Sequence, residues 1–227
     1  MKFNFNSKKV KQNKNEQSKI SLQRLIEGNA RFASGVRTVE HQPTPTKLKE
    51  LSMNGQKPFC IILSCADSRV PSEMVFDLGL GDLFVIRVAG NVIAPSLLAS
   101  IEFAASNFGC PLLMVMGHSK CGAIKATIDS VKNKTQAPST NLEDLIGRIK
   151  PAVETNIHKV KQEEELVDVC TWDNVFNTLK TIHQESKIVQ QLVRDHKLML
   201  VGSVFNLDNG KVTFNNSQQA VLWRKIA

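Results

Sequence analysis

Two short stretches hold the residues able to do chemistry. The first, Cys65-Ala-Asp-Ser-Arg69, sets a thiol, a carboxylate and a guanidinium within one turn. The second, Gly117-His-Ser-Lys-Cys-Gly122, separates an imidazole from a thiol by two residues. Two thiolates and one imidazole make a tetrahedral set for Zn²⁺, and three protein ligands leave the open position of a catalytic centre. Water would fill that position or, at some times, the Asp67 carboxylate. Asp67 and Arg69 point the same way in an extended turn, so a charge-assisted pair forms easily. Such a pair keeps Asp67 ionised and can pull it off a metal.

Other chemistries fit the same residues. Gly117-His118-Ser119-Lys120 fills four of the five places of the hydrolase elbow G-x-S-x-G, with Ser119 as nucleophile, but Cys121 stands where the last Gly belongs. Cys65 beside Arg69 also reads as a redox thiol of lowered pKa, or as a core residue. Asp67 and Ser68 also read as a helix cap. On the residues alone these readings stay open.

Both stretches follow apolar runs of strand length, at 59–64 and 112–116, and two further runs lie at 83–88 and 198–205. Helical segments at 72–78, 95–108 and 122–131 separate them. A long helical stretch covers 141–197, with a break expected near 169–172. This order predicts an α/β fold: a mostly parallel four-stranded sheet flanked by helices, with an antiparallel edge strand at 211–214 after the turn Leu207-Asp-Asn-Gly210. Open parallel sheets bind ligands beyond the carboxyl ends of their strands. If the first and third runs are neighbours, Cys65, His118 and Cys121 converge there.

Upstream, 21–32 reads as an amphipathic helical arm, with Leu22, Leu25, Ile26 and Asn29 on one face and Ser21 as cap. Residues 34–45 read as a linker, and Thr44-Pro45 opens a short helix. Residues 1–20 are expected to be a disordered basic tail, and 21–227 a single domain.

Composition narrows the class. At 227 residues the chain can bury a full core. No apolar run approaches the ~18 residues of a membrane span, and no signal-peptide pattern opens the sequence, so the expected location is cytoplasmic. The net charge of +8 is concentrated, with six Lys and one Glu in residues 1–19. The rest carries no nucleic-acid motif, so no nucleic-acid partner is expected. Five Cys, an odd number, argue against a disulfide framework.

Over most of residues 21–215 the chain resembles the β-class carbonic anhydrases. "CADSRV" and "GHSKCGA" are similar to the two zinc motifs of that family. "EGNARF" at 27–32 and "GDLFVIRVAGN" at 81–91 are similar to two supporting motifs. Val88 stands where Asn is usual. The resemblance implies one Zn²⁺ per chain on Cys65, His118 and Cys121, with Ser119 and Lys120 as spacer. It implies reversible hydration of CO₂ to bicarbonate and a proton by attack of zinc-bound hydroxide. Asp67, held by Arg69, would accept a hydrogen bond from the hydroxide and relay the proton. Phe84 and Phe103 would form apolar walls, and Gln56 and the Gly122 N–H would donate to substrate. Phe103 stands where many relatives carry Tyr. The family fold places active sites at a dimer interface, so a homodimer or a dimer of dimers is expected. The 21–32 arm would embrace the second subunit, being poorly placed to join its own core. Some relatives have a separate bicarbonate pocket of Trp, Arg and Tyr. Here Ile62 takes the Trp place, Arg87 the Arg place, and the chain has no Tyr. Alternatives are a zinc hydrolase of the same fold acting on COS or CS₂, and a non-catalytic zinc or redox protein.

Overall fold

The computed structural model of the chain describes residues 7–38 and 43–215. Its centre is a five-stranded sheet in the order β2-β1-β3-β4-β5. The strands are β1 (Cys60–Ser64), β2 (Leu83–Arg87), β3 (Leu112–His118), β4 (Met199–Phe205) and β5 (Val212–Phe214). All pairings are parallel except β4 with β5. β1 and β3 are buried at every residue, which is why their sequences run continuously apolar instead of alternating.

Alternation shows in which side each residue serves. Ile61, Leu63, Leu113 and Val115 pack on one face of the sheet. There they meet α4 (Pro95–Asn107) through Ile101, α7 (Glu163–Glu185) through Val175 and Leu179, and α8 (Lys187–Arg194) through Val189. Cys60, Ile62, Leu112, Met114 and Met116 pack on the other face, with α1 (Ser7–Ala33) and α3 (Ser72–Val75). A third cluster joins Cys65 and Cys121 to α5 (Gly122–Asn133), α6 (Thr140–Asn156) and the start of α7. α2 (Pro45–Asn54) opens with Thr44 accepting from the Lys47 N–H, and against the described residues it buries no side chain.

Three expectations need correction. The break in the long helical stretch is not near 169–172, which lies inside α7, where Cys170 packs into the third cluster. It falls between Asn156 and Glu163, where three glutamates favour a helix N-terminus. A second break comes at Ser186, whose hydroxyl caps α8. The arm helix begins at Ser7, so most of the expected tail is helical. This stretch is rich in Lys and Gln, which are good helix formers. Residues 1–6 and 39–42 lie outside the described residues. Ser21 is accordingly a buried mid-helix residue and not a cap.

The arm also joins its own core. Leu25 is fully buried against the second face, whereas Ile26 is exposed. Asn29 donates to Val75 O (3.1 Å) and Gly210 O (2.9 Å), and accepts from the Val212 N–H (2.8 Å). One amide thus ties α1 to α3, the β4–β5 turn and β5.

Beyond α1 the chain is held by Asp77, whose side chain is fully buried. It accepts from Arg31 Nε (2.7 Å) and Thr38 Oγ1 (2.6 Å), and Arg37 lies at 3.3 Å. Burial raises the Asp77 pKa, but donation from Arg31 and Thr38 outweighs it and holds the value down at about 2. A depressed carboxyl stabilises the fold above its unfolded pKa near 3.9, and that stability is lost as pH falls through the folded value. The group contributes roughly 2 kcal/mol at neutral pH. Asp77→Asn should therefore flatten the loss of stability between pH 4 and pH 2 by about that amount, read from urea midpoints across the range. An unchanged slope would detach Asp77 from acid stability.

Candidate metal centre

β1 and β3 pair in parallel with Ser64 opposite Met116. The residues that follow both strands therefore emerge at the same edge of the sheet. Cys65 comes directly after β1, and His118 is the last residue of β3. A turn with Lys120 at φ 56° returns the chain to Cys121, the N-cap of α5. Cys65 Sγ, Cys121 Sγ and a His118 ring nitrogen lie within 4.8 Å of one another, all on buried residues.

The imidazole is oriented for a cation. His118 Nδ1 lies 2.9 Å from Ser119 O, so Nδ1 carries the proton and Nε2 presents its lone pair. That Nε2 is buried and has no hydrogen-bond partner among the described residues. A buried, unpaired nitrogen facing two thiols is costly by itself and fitting as a metal ligand. The donor set is that of a tetrahedral zinc site with one place left over.

The two thiols are hydrogen-bonded to each other, and each shifts the other's pKa. Donation from Cys121 pulls the Cys65 thiol well below the thiol range against its burial, and the Asp67 and Gly90 amides add to it. The same hydrogen bond pushes Cys121 well above the thiol range, and burial adds to it. Gly90 N–H reaches Cys65 Sγ at 3.4 Å, as does Asp67 N–H. Gly90 has φ +66°, and a Cβ there would come within 2.7 Å of Ile149. Only glycine presents its amide to the sulfur so closely.

Asp67 stands beside this cluster. Its Oδ1 accepts from Arg69 N (3.0 Å) and Nε (2.9 Å), and its Oδ2 from Arg69 Nη2 (2.7 Å). Oδ2 is 3.9 Å from His118 Nε2. Donation from Arg69 holds the carboxyl well below the usual carboxylate range. Gly122 opens α5 with empty space where a Cβ would sit. Ser119 Oγ accepts from the Leu207 N–H at 2.9 Å and has no base as hydrogen-bond partner among the described residues. Nδ1 of the adjacent His118 is taken by the Ser119 carbonyl, so the arrangement of an activated serine nucleophile is not seen.

Residues 60–212 match the family model described as Carbonic anhydrase. The chain belongs to the carbonic anhydrase family. It is 33% identical over 192 residues to Carbonic anhydrase 2 of Mycobacterium tuberculosis, covering 85% of this chain and 90% of that protein. It is 33% identical to the carbonic anhydrase of Mycolicibacterium smegmatis, covering 83% and 88%. Among solved structures it is similar to the beta-carbonic anhydrase CcaA, with a TM-score of 0.67 and 26% identity over 86% of this chain and 88% of that one. The resemblance to the β class and the expected α/β fold are thus confirmed.

In this carbonic anhydrase the other expected site residues lie apart from the cluster. Gln56 precedes β1, and Phe84 is the second residue of β2, opposite Ile61. Both are at the amino end of the sheet, whereas Cys65 is at the carboxyl end. Phe103 sits 6.3 Å from Phe84 and 5.7 Å from Phe108, ring to ring, and is 53% exposed. Gln56 and Phe108 line a groove of about 600 Å³ with Ile20 and Phe59. One chain alone does not bring these residues to its own metal cluster.

Sequence reasoning missed the task of one residue. Arg87 donates from Nε to Cys65 O (3.1 Å) and from Nη2 to Asp67 O (2.6 Å). The motif "GDLFVIRVAGN" contained it, but no local pattern shows which carbonyls an arginine will reach.

The cluster predicts one transition-metal ion per chain, measured by plasma emission after purification. Cys65→Ala, His118→Ala and Cys121→Ala should each lower metal content sharply, while Ser119→Ala keeps it. Full metal in all three ligand variants would dismiss the centre.

Proposed function

We propose that this chain hydrates CO₂ reversibly to bicarbonate and a proton, with zinc on Cys65, His118 and Cys121. The observation that carries the reading is the unpaired Nε2 of His118 facing two thiols, with an arginine-held carboxylate 3.9 Å away. Zinc, when bound, supplies the Lewis acidity that makes water acidic near neutral pH, from about 15.7 to about 7.

The chain's own residues supply the rest. Asp67, fixed by two charged donors of Arg69, has lone pairs left to accept a hydrogen bond from the attacking water. It thereby orients the water's remaining lone pair toward carbon. The Gly122 N–H, exposed at the start of α5, donates to a product oxygen. CO₂ offers little besides two weak acceptors, so apolar walls must hold it.

Those walls, Phe84 and Phe103, would come with Gln56 from a second subunit. The support is Phe103, 53% exposed and packed against the half-buried Phe84 and Phe108, together with the exposed apolar side chains of α2, where Leu48 is 59% and Met53 76% exposed. A two-fold pairing that carries one amino-end patch to the other chain's metal cluster carries the reciprocal patch as well.

Stopped-flow CO₂ hydration with a zinc assay on the same sample tests the reaction. Turnover should track zinc content, and a zinc-loaded protein with no hydration would refute the proposal. Asp67→Asn and Arg69→Ala should each reduce turnover at least tenfold with zinc retained, and the double variant should be little worse than either. Additive losses would mean that the two do not act as a unit. Complementation tests the shared site. Gln56→Ala and Cys65→Ala should each be severely impaired, yet their coexpressed mixture should recover roughly a quarter of wild-type activity, since about half the dimers are mixed and each restores one whole site. No recovery would place Gln56 in the site of its own chain or outside any site.

A further inference from the structure

We propose that Arg87 is a positioning residue for the metal centre: its guanidinium holds the Cys65 and Asp67 carbonyls, so that the Asp67 carboxylate stays on Arg69 and the fourth metal position stays free.

The argument starts where the sheet stops. Ser64 and Arg87 are the last paired residues of β1 and β2. Two further backbone bonds extend the ladder, from Val88 N–H to Ser64 O (3.1 Å) and from Ala66 N–H to Val88 O (3.2 Å). Past that point the Arg87 side chain takes over. Nε and Nη2 lie on one edge of a planar fork, and they reach two carbonyls separated by one residue, Cys65 O at 3.1 Å and Asp67 O at 2.6 Å. Lysine, a single point donor, has no such pair of fixed donors.

The Asp67–Arg69 pair cannot do this job. Its members are two residues apart on the same loop, so the pair travels with the loop. Arg69 reaches another element only weakly, at Lys120 O, 3.5 Å away. Arg87 comes from a different strand and fixes the loop to the sheet. The distance at stake is small. Asp67 Oδ2 stands 3.9 Å from His118 Nε2, and a carboxylate oxygen is itself a good ligand for a dication held by two thiolates and an imidazole. Without Arg87, Asp67 O keeps the Val70 N–H of its own turn (3.0 Å) but loses its tie to the sheet, and movement of that turn toward His118 would offer Oδ2 to a bound metal. The clamp therefore decides whether the fourth position is taken by the protein or left to exchangeable ligands.

The test uses the cobalt-loaded full chain, with azide as probe of the fourth position and the visible spectrum as readout. Arg87→Ala and Arg87→Lys should keep one cobalt per chain but bind azide at least tenfold more weakly than wild type. Methylguanidinium should restore azide binding to Arg87→Ala and not to Arg87→Lys, whose side chain fills the space. CO₂ hydration by the zinc forms should fall and recover in parallel, and this arm alone rests on the carbonic anhydrase reading. A wild type that binds azide as expected but does not hydrate CO₂ would refute that reading and leave the clamp standing. Azide affinity within twofold of wild type in Arg87→Ala, a loss that methylguanidinium does not reverse, or a folded Arg87→Ala that no longer holds cobalt would overturn the clamp. Should Arg87→Ala fail to fold, Arg87→Gln carries the same titration, with weakened azide binding supporting the clamp and unchanged binding overturning it.

Discussion

The parallel pairing of β1 with β3 is the constraint on which the site depends. Parallel neighbours end at the same edge, so residues 65 and 118–121, far apart in the chain, arrive together. The arrangement is unfavourable without a cation. Three polar side chains are buried, the imidazole nitrogen has no partner among the described residues, and two thiols lie against each other and the ring. A dication would offset these costs, since it would favour both thiolates and take the nitrogen lone pair. Because the third cluster contains both cysteines, metal binding there would be coupled to its packing.

Much of this was legible from the sequence for a local reason. The four parallel strands are short apolar runs, and the two chemical motifs stand directly after two of them. A motif at a strand's carboxyl end already says where its side chains go, once the sheet is known to be parallel. The adjacency of β1 and β3 was an assumption, and it holds.

What stayed hidden depends on contacts distant in sequence. Asn29 bonds to residues 46, 181 and 183 positions away, and nothing in the arm's own periodicity shows that its Leu25 face belongs to this chain's core. The helix break was misplaced because Val169–Trp172 reads as poor helix material by propensity, whereas burial of Cys170 against Ala152 overrides it. Arg87 matched a motif, yet its partners are backbone carbonyls, which carry no side-chain identity to recognise. Ser119 reads as reactive for the opposite reason: its type is visible, and the bond of His118 Nδ1 to its carbonyl, which leaves the hydroxyl without that base, is not.

The docked arm also bears on assembly. An arm free of its own core would have offered the Leu25 face to a second subunit. That face is already filled by Phe76, Met114 and their neighbours. Exposed apolar side chains on this part of the molecule include Leu48 and Met53 of α2, Ile20 and Ile26 of α1, and Phe103; others, such as Met74, Leu142 and Ile188, lie on other elements. Ile20 shares the groove that Gln56 and Phe108 line. In the proposed dimer the contact would include this groove and the phenylalanine patch beside it. The groove lies at the amino end of the sheet, away from the metal cluster, so the surface that would hold two chains together is also the one that would wall each other's substrate.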